Sequence, residues 1–391
     1  MPRTILTIVS TLARGGPMNV LMCLVRHLDP QRYRSVVATL SCESADSLIE
    51  ELRSLGASVK QLTLSRAESF LTGARSLRRL VAEAKPDLVH THGIRADIVA
   101  TKARLDCPII STLHCDLFAD YRFAYGRHTG ALVAIRHYAA LKRFDRVIAV
   151  SENVAESALR SGVVARAIPN GVDLSEYCIP SNSESEQAVR KSLGWPPEAV
   201  IALHTGSLSC RKNPLDVVAG FCASELSKCG LLVLAGDGPL RAECEKAAGG
   251  ASNIVFLGKR KDVPDLLKAA DILISASSSE GLPMALLEGC ANGIRVLATD
   301  IPPHRTIQQI FPDQVQMFNR NDPASLQALL DGIPAGCRRQ RFEPPASALE
   351  SISSHRMSGE YQEQYSEILQ AADHANSRLR KVAPCPSGFQ Y

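Results

Sequence analysis

The alternation of short apolar runs with longer amphipathic segments constrains the fold of this chain more than any other feature of its sequence. Between residues 4 and 151 the helical pattern of segments such as MNVLMCLVRHL separates the runs TILTIVS, SVVATL, DLVHTH, PIISTLH and RVIAVS. Short buried strands that alternate with helices are typical of a parallel sheet covered by helices on both faces. The first half therefore predicts an α/β, Rossmann-like domain.

A second series of the same kind follows a break near Asn170, where IPNGVDLSEY is turn-forming and IPSNSESEQ is polar and flexible. Its runs are VIALHTGSL, LLVLAGDG, NIVFLGK, ILISASS and RVLATD. Because 391 residues exceed the size at which one core stops growing, we predict two Rossmann-like domains, at 1–175 and 176–350. We also predict a late helix at 355–371 and a tail at 372–391.

The composition is that of an ordinary globular protein, with 45% apolar residues, 21% charged residues and a net charge of +4. No apolar run approaches the roughly 18–20 residues that cross a bilayer. The twelve cysteines include no Cys-x-x-Cys pair and no Cys/His cluster at metal spacing, so we expect reduced thiols rather than disulfides or zinc. These features predict a cytoplasmic protein.

The stretch SSSEGLPMALLEGCANG, residues 277–293, contains the strongest candidate for a binding site. Pro283 is suited to the first turn of a helix, and this places Glu280 just before the helix and Glu288 inside it. A helix N-terminus attracts anions, whereas carboxylates bind hydroxyl groups. The combination predicts a ligand with both phosphate and hydroxyl groups, such as a sugar nucleotide. The alternative is a capped helix with two solvated glutamates.

Two further segments of the second half place glycines and cations at strand ends. LHTGSLSCRKNP contains Ser207, Arg211 and Lys212, and LAGDGPLR contains Gly236 and Gly238. Glycines at such positions let a ligand approach the backbone closely, and adjacent cations suit a diphosphate. Adjacent basic residues are otherwise usually a solvated surface.

The first half also places polar residues where strands end. Gly15, Gly16, His92, His114 and Ser151 all fall at predicted carboxyl ends of strands, where ligands bind in open α/β sheets. For His114 the alternative is a core histidine, and His92 is a weaker candidate for the lining of a cleft.

These motifs, in this order, closely resemble the retaining nucleotide-sugar glycosyltransferases of family four. The segments that carry the resemblance are GSLSCRKNP, AGDGPLRAECE, the whole run from VFLGKRKDV to VLATDIP, and VSENVAESALRSGV with IPNGVD. The resemblance covers residues 4–370 and implies the GT-B fold, in which two Rossmann-like domains face a central cleft. The first domain would bind the acceptor and the second the nucleotide sugar, and the late helix would cross back to the first domain.

The resemblance assigns the Glu-x7-Glu signature to Glu280 and Glu288. It implies that Glu280 binds hydroxyl groups of the donor sugar and that Glu288 binds the ribose hydroxyls. The backbone amides of Gly281 and Leu282, just before Pro283, would contact the distal phosphate.

The remaining donor contacts follow from the same resemblance. Arg211 and Lys212 would neutralise the departing diphosphate, and the stretch from Lys259 to Val263 would face the base. Where the family often has arginine after the glycine this chain has Ser207, and Arg211 could supply the missing contact.

In the first half, the pair Gly15-Gly16 resembles the glycine loop of the family, whose amides approach the phosphates when the domains close. His114, in STLHCD, matches the histidine that reaches the transferring sugar.

The chemistry that we expect needs neither a metal nor another cofactor, because the nucleotide sugar is a co-substrate. No Asp-x-Asp motif is present in the sequence, and Arg211, Lys212 and a helix N-terminus would stabilise the leaving charge. We see no convincing carboxylate nucleophile for a double displacement, and therefore favour front-face transfer.

The acceptor is expected to be lipid-linked or a saccharide. Residues 121–146 carry six Lys/Arg against one acidic residue, with interleaved Tyr and Phe, and Arg75, Arg78 and Arg79 add positive charge. This segment is either a solvated helix face or a patch that docks on the anionic cytoplasmic face of a membrane. No nucleic-acid recognition motif accompanies the charge.

Three other functions compete with this one, and the sequence argues against the third. A nucleotide-sugar epimerase can share the fold, and a non-catalytic protein could retain sugar-nucleotide binding alone. An NAD-dependent oxidoreductase would need a Gly-x-Gly-x-x-Gly turn, which neither GDGPLR nor TLARGG provides.

Overall fold

The computed structural model describes residues 1–179, 183–333 and 341–382, which form two parallel sheets with helices on both faces. The strands of the first sheet are β1 (Arg3–Val9), β2 (Tyr33–Thr39), β3 (Ser58–Gln61), β4 (Leu88–His92), β5 (Ile109–Leu113), β6 (Arg146–Ala149) and β7 (Arg166–Ala167). Those of the second sheet are β8 (Ile201–Thr205), β9 (Leu231–Ala235), β10 (Ile254–Gly258), β11 (Ile272–Ser275), β12 (Arg295–Thr299) and β13 (Val315–Phe318).

Helices connect these strands throughout the described residues. The helices up to residue 160 are α1 (Gly16–Arg26), α2 (Ile49–Ser54), α3 (Arg66–Leu71), α4 (Gly73–Ala84), α5 (Ile94–Ala103), α6 (Leu117–Tyr125), α7 (Arg127–Leu141) and α8 (Glu152–Arg160). Those that follow are α9 (Ser183–Leu193), α10 (Pro214–Ala223), a 3-10 helix (Glu225–Lys228), α11 (Arg241–Ala247), α12 (Val263–Ala269), α13 (Met284–Ala291), α14 (Pro302–Ile310), α15 (Pro323–Asp331), α16 (Ala346–Ser351) and α17 (Ser354–Val382).

Both sheets are doubly wound. The first has the order β3-β2-β1-β4-β5-β6-β7 and the second the order β10-β9-β8-β11-β12-β13. Strands β4, β5 and β9 are buried at every residue because helices cover both faces of the sheet. Strand β9 is apolar throughout, whereas β4 and β5 also bury histidine, threonine and serine. The predicted pair of Rossmann-like domains is confirmed.

The sequence analysis did not predict three edge strands, and it predicted a flexible segment where helix α9 begins. Strand β3 is largely exposed, β7 has two residues, and β13 lies at the far edge of its sheet, so none has the long apolar run of a central strand. Helix α9 begins within the segment that we predicted to be flexible. Its Arg190 is fully buried and donates to both carboxylate oxygens of Asp271. A charged residue on the buried face weakens the apolar periodicity by which a helix is recognised in the sequence.

Helix α17 returns to the first domain, as predicted. Ser358 Oγ donates to the Leu24 carbonyl at 3.2 Å, and the Tyr33 hydroxyl donates to the Gln362 carbonyl at 3.1 Å. The helix continues to Val382, so the prediction that the tail begins at residue 372 is wrong for 372–382. Residues 372–382 are mostly polar, so no apolar pattern indicated that the helix continues past residue 371. Residues 383–391 lie outside the described residues.

The two chain segments that connect the domains run side by side. The Val172 amide donates to the Ile352 carbonyl at 2.8 Å, and the Ser354 amide donates to the Val172 carbonyl at the same distance. A Cβ at Gly171 would lie 2.3 Å from the Ser353 carbonyl oxygen, so only glycine allows this approach. The two crossings therefore form one hinge region beside the cleft.

Candidate functional site

The candidate site lies where the strand order of the second sheet reverses. Strands β8 and β11 are neighbours, but the chain leaves β8 toward β9 and leaves β11 toward β12. Loops that diverge at such a point leave a crevice at the carboxyl edge of the sheet, where ligands bind. The loop after β8 carries Arg211 and Lys212, and the loop after β11 carries Glu280.

Glu280 is the centre of this crevice. The residue is 9% exposed; Arg211 Nη1 donates to its Oε2 at 2.9 Å, and Lys212 Nζ donates to its Oε1. Burial alone would raise the pKa of Glu280, but the charges of Lys212 and Arg211 outweigh it and lower the pKa to about 2. The structure thus holds an ionised carboxylate between the two cations that the sequence analysis selected.

Arg211 also ties the crevice to the first domain. Its Nη1 donates to the Ser279 carbonyl at 2.8 Å, and its Nε lies 3.9 Å from Asp120 Oδ2. Asp120 belongs to α6 of the first domain and accepts a hydrogen bond from Ser279 Oγ at 3.1 Å. Burial raises the pKa of Asp120, and the charge of Arg211 partly offsets the effect.

The glycines near the crevice allow its loops to pack backbone on backbone. A Cβ at Gly236 would lie 1.7 Å from the Gly206 carbonyl oxygen, and one at Gly238 would lie 2.4 Å from the Leu208 carbonyl oxygen. These glycines therefore have a structural role, and their contact with a ligand stays a prediction. Ser207 is exposed, and its hydroxyl forms a hydrogen bond with Ser209 Oγ at 3.0 Å rather than with Glu280.

The loop before α13 is held by the first domain. A Cβ at Gly281 would lie 2.0 Å from the His114 carbonyl oxygen. Ser151 Oγ donates to the Gly281 carbonyl at 2.9 Å, and Asn170 Nδ2 donates to the Leu282 carbonyl at 2.9 Å. Pro283 occupies the N-cap position of α13. The structure is therefore closed at this loop, where Gly281 and His114 of opposite domains meet.

Glu288 lies on α13 and faces the first domain. It is 4% exposed, and it forms side-chain hydrogen bonds with Asn19 on α1 and with Tyr177. Burial raises the pKa of Glu288 to about 7, although these two hydrogen bonds oppose the shift. The pKa values of the two glutamates of the signature are thus shifted in opposite directions, because Glu280 forms direct ion pairs with Arg211 and Lys212, whereas Glu288 is affected by Lys212 only at a distance.

The other predicted residues line the junction of the domains. Gly15 caps α1, and a Cβ at Gly16 would lie 3.9 Å from Met284 at the start of α13. Lys259 Nζ lies 3.4 Å from Asp46 Oδ2 of the first domain, and Val263 begins α12.

His114 has one ring nitrogen in contact with a second histidine. Its Nε2 lies 2.9 Å from His92 Nδ1, and the two rings stack with centroids 5.1 Å apart. Burial lowers the pKa of His114 to about 4 and that of His92 well below its ordinary value, so both are neutral at physiological pH.

Sequence reasoning missed several residues of the site. Asp120 belongs to no motif that the sequence analysis used. Asn170 and Tyr177 lie in the segment IPNGVDLSEY, which the sequence analysis used for the break between the domains and in part for the resemblance, without assigning a contact to either residue. Asn19 lies on α1 four residues after Gly15, and its position near the glycine loop was the one local signal available.

Within the described ranges, no group of three or more His, Cys, Asp and Glu side chains could hold a metal ion. No helix in those ranges combines the length and the apolar character that a bilayer crossing requires.

Two family profiles match the chain, one over each domain. Residues 14–176 match the profile described as Glycosyltransferase Family 4, and residues 200–331 match the one described as Glycosyl transferases group 1. The chain belongs to the family 4 glycosyltransferases. The resemblance inferred from the motifs is confirmed.

Curated relatives of this glycosyltransferase include two bacterial proteins. The putative teichuronic acid biosynthesis glycosyltransferase TuaC of Bacillus subtilis is 28% identical over 265 residues, which are 66% of this chain and 63% of TuaC. The Escherichia coli UDP-Gal:alpha-D-GlcNAc-diphosphoundecaprenol alpha-1,3-galactosyltransferase is 29% identical over 259 residues, which are 61% of this chain and 65% of that enzyme. The match thus spans slightly less than two thirds of each relative.

Solved structures share the fold of this glycosyltransferase over almost its whole length. Anabaena Alr3699/HepE, crystallised with UDP and glucose, has a TM-score of 0.73 and 18% sequence identity, with 93% of this chain and 100% of that chain covered. Sucrose-phosphate synthase from Thermosynechococcus elongatus has a TM-score of 0.69 at 19% identity, with 97% and 100% covered. The GT-B fold is thereby confirmed.

Proposed function

We propose that this glycosyltransferase moves a hexose or N-acetylhexosamine from a UDP-linked sugar to a lipid-linked or saccharide acceptor, with retention of the anomeric configuration. The setting is the assembly of a cell-surface polysaccharide or glycolipid. The observation that carries the proposal is the buried Glu280 between Arg211 and Lys212, just before the N-terminus of α13.

The names of related proteins support the donor and the setting. The E. coli relative is named for UDP-galactose and an undecaprenol-linked acceptor, TuaC for teichuronic acid, and the HepE crystals hold UDP and glucose. The charges of the crevice suit such a donor, because Arg211 and Lys212 are cations that can bind a diphosphate and they lie beside the buried carboxylate of Glu280.

Donor binding exchanges the partners of the two cations. Without a ligand, Arg211 and Lys212 are neutralised by Glu280 and Asp120. A diphosphate brings two further negative charges, so both cations turn toward its oxygens. This frees the ionised Glu280 to accept hydrogen bonds from hydroxyl groups of the sugar. The amides of Gly281 and Leu282 complete the phosphate site, and Glu288 binds the ribose.

The transfer step then requires only the donor, the acceptor and these residues. The acceptor oxygen forms a bond to the anomeric carbon, and the bond from that carbon to the diphosphate oxygen breaks on the same face. The acceptor proton passes to the leaving diphosphate, whose charge is stabilised by Arg211, Lys212 and the helix N-terminus. We propose that this reaction is metal-independent, and activity retained in a chelator such as EDTA tests it.

Closure of the domains protects the reaction from water. Gly281 lies against His114, and Ser151 and Asn170 bind the same loop from the first domain. A donor held beneath these contacts is shielded from hydrolysis until an acceptor hydroxyl occupies the cleft.

Helices α6 and α7 provide a surface for the membrane that carries a lipid-linked acceptor. Their exposed apolar side chains are Phe118, Phe123, Tyr125, Leu132 and Ile135. Exposed Arg122, Arg127 and Arg136 lie among them. Apolar side chains that enter the headgroup region, combined with arginines that bind anionic lipid, are the two components of interfacial binding. We therefore propose peripheral attachment to the cytoplasmic face of a membrane.

A screen of donors tests the proposed function. The protein is incubated with UDP-, GDP- and ADP-linked hexoses and N-acetylhexosamines, with and without undecaprenyl-diphosphate sugars, and the products are identified by mass spectrometry and NMR. We expect transfer from a UDP-sugar with retained anomeric configuration. Epimerised free donor would instead identify an epimerase, and nucleotide binding without transfer or hydrolysis would identify a non-catalytic binding protein.

A further inference from the structure

Three histidine rings lie in contact with one another at the carboxyl edge of the first sheet, beside the candidate site. His90 and His92 lie two residues apart on β4, so their side chains share one face of the strand. Their ring centroids are 4.3 Å apart, and the His92 ring stacks on that of His114, which follows β5. Of the three, the family resemblance assigns a role only to His114, whose counterpart reaches the transferring sugar.

His90 is fully engaged by its neighbours. Its Nδ1 lies 2.8 Å from the Tyr365 hydroxyl of the returning helix α17, and its Nε2 lies 2.8 Å from Thr112 Oγ1. Thr112 Oγ1 is in turn 3.0 Å from the Tyr361 hydroxyl. His90 therefore has no nitrogen left for a hydrogen bond to His92, and it contacts the His92 ring at an angle of 38° between the ring planes.

Only one ring nitrogen of His92 has a hydrogen-bond partner among the described residues. The residue is 3% exposed, its Nδ1 lies 2.9 Å from His114 Nε2, and its own Nε2 is buried without a hydrogen-bond partner among the described residues. A buried N–H group without a partner costs more than a buried nitrogen lone pair without one. The single ring proton of neutral His92 is therefore on Nδ1, where it is donated to His114.

This hydrogen bond determines the tautomer of His114. Because His114 Nε2 accepts the proton from His92, the ring proton of neutral His114 must be on Nδ1. The nitrogen of His114 that His92 does not contact is then an N–H donor, and it pairs with hydrogen-bond acceptors such as the oxygens of a sugar.

We propose that His92 is a positioning residue, which orients the ring of His114 and fixes its Nδ1–H tautomer, so that His114 donates a hydrogen bond to an oxygen of the transferred sugar. The part of this inference that concerns the sugar rests on the proposed function. The tautomer itself is a property of the ligand-free protein and can be tested separately.

Nitrogen NMR of the full chain labelled with 15N-histidine is the first test. The His114 signals are identified by their loss in His114→Asn. We expect a protonated Nδ1 and an unprotonated Nε2 in the wild type at pH 7. In His92→Leu the hydrogen bond that holds the His114 proton on Nδ1 is gone, so the Nε2–H tautomer becomes populated beside the Nδ1–H form. A wild-type His114 with its proton on Nε2 would overturn the proposal, whatever reaction the enzyme catalyses.

Kinetics with the donor identified in the screen is the second test. His92→Leu is expected to lower kcat/KM about tenfold, the effect of one hydrogen bond to the sugar. The Kd for UDP, which has no transferred sugar, should stay unchanged and so report an intact nucleotide site. Adding His92→Leu to His114→Asn should cause no further loss, because the two residues act as one unit.

His92→Asn is the conservative variant, because its amide can donate to His114 Nε2 in place of the imidazole. It should restore the Nδ1–H tautomer and most of the kcat/KM that His92→Leu loses. His355→Asn, at an exposed histidine on α17, is the matched control and should behave as wild type. Equal kcat/KM values in wild type and His92→Leu would overturn the proposed role toward the sugar.

Discussion

Gly281 of the second domain lies so close to His114 of the first that a Cβ on residue 281 would be 2.0 Å from the His114 carbonyl oxygen. This distance is shorter than any contact between a carbon and an oxygen that are not bonded. The absence of a side chain at residue 281 is therefore a condition for closure of the cleft.

Gly281→Ala should hold the two domains apart. The obstacle is a backbone carbonyl, which cannot move aside as a flexible side chain can, so the loop or the whole domain must shift. We expect kcat/KM for transfer to fall at least about tenfold, equivalent to about 1.4 kcal/mol of transition-state stabilisation. Small-angle X-ray scattering should show a larger radius of gyration than in the wild type.

Gly359→Ala is the control for this substitution. Gly359 lies inside helix α17, and a Cβ there would meet no atom within 4 Å. Because alanine favours helices over glycine, the free energy of unfolding should rise by about 0.5–1 kcal/mol, with unchanged transfer. Normal transfer by Gly281→Ala would show that closure at this contact is not required.

The buried carboxyl of Glu288 should make the ligand-free protein less stable as the pH rises. Burial raises its pKa from 4.5 to about 7 in the folded state. Below about pH 4.5 the group is protonated in both states, and between 4.5 and 7 only the unfolded chain ionises. The stabilising contribution of protonated Glu288 is therefore lost across this interval, by about 3 kcal/mol.

Glu288→Gln removes this titration. Its free energy of unfolding should match that of the wild type near pH 4 and exceed it progressively up to pH 7, as measured by urea denaturation. A constant difference between the two proteins from pH 4 to pH 8 would contradict the electrostatic environment that the structure gives Glu288.

Tyr365 should contribute to stability through its hydroxyl group. In Tyr365→Phe the Nδ1 of His90, which is fully buried, loses its partner at 2.8 Å. A buried polar atom without a partner costs about 1–3 kcal/mol, and thermal denaturation should show a lower midpoint. The exposed Tyr125 provides the comparison, because Tyr125→Phe should leave the midpoint unchanged. Equal midpoints for all three proteins would exclude a stabilising His90–Tyr365 hydrogen bond.

Membrane attachment should depend on the exposed apolar residues of α7. Leu132→Glu and Ile135→Glu place charge on a face that would enter the headgroup region, so both should abolish flotation with phosphatidylglycerol vesicles at low salt. Leu159→Glu changes an equally apolar, 61% exposed residue on α8 and should float as the wild type does. A wild-type protein that does not float would contradict the proposed attachment.

The sequence predicted those parts of the site that are local in the chain. Glu280 and Glu288 share one motif, and Arg211 and Lys212 share another, so the resemblance could assign them without knowledge of the fold. Asp120 could not be found in this way. It contacts Ser279 across the cleft, and no spacing in the chain records that distance.

The same distinction applies to the fold. Central strand β9 is buried on both faces and has the apolar sequence LLVLA, whereas edge strand β3 is largely exposed and has the sequence SVKQ. Helix α9 was not predicted because the most buried of its described side chains is Arg190, which pairs with Asp271, and a charged residue is not expected on the buried face of a helix. Periodicity detects extensive apolar burial, whereas the described side chains of α9 contribute only the partly buried Val189 and Leu193 to the core and those of β3 only Val59.

The binding of UDP to three variants, measured by isothermal titration calorimetry, tests the central claim most directly. We expect Lys212→Ala to weaken UDP binding at least about tenfold, because it removes a charge-assisted contact to the diphosphate. Glu280→Gln should bind UDP at least as tightly as the wild type but lose sugar transfer, and Lys228→Ala, at a 70% exposed lysine, should change neither. If Lys212→Ala binds UDP as the wild type does and Glu280→Gln retains normal transfer, the assignment of this crevice to the diphosphate and the sugar is wrong.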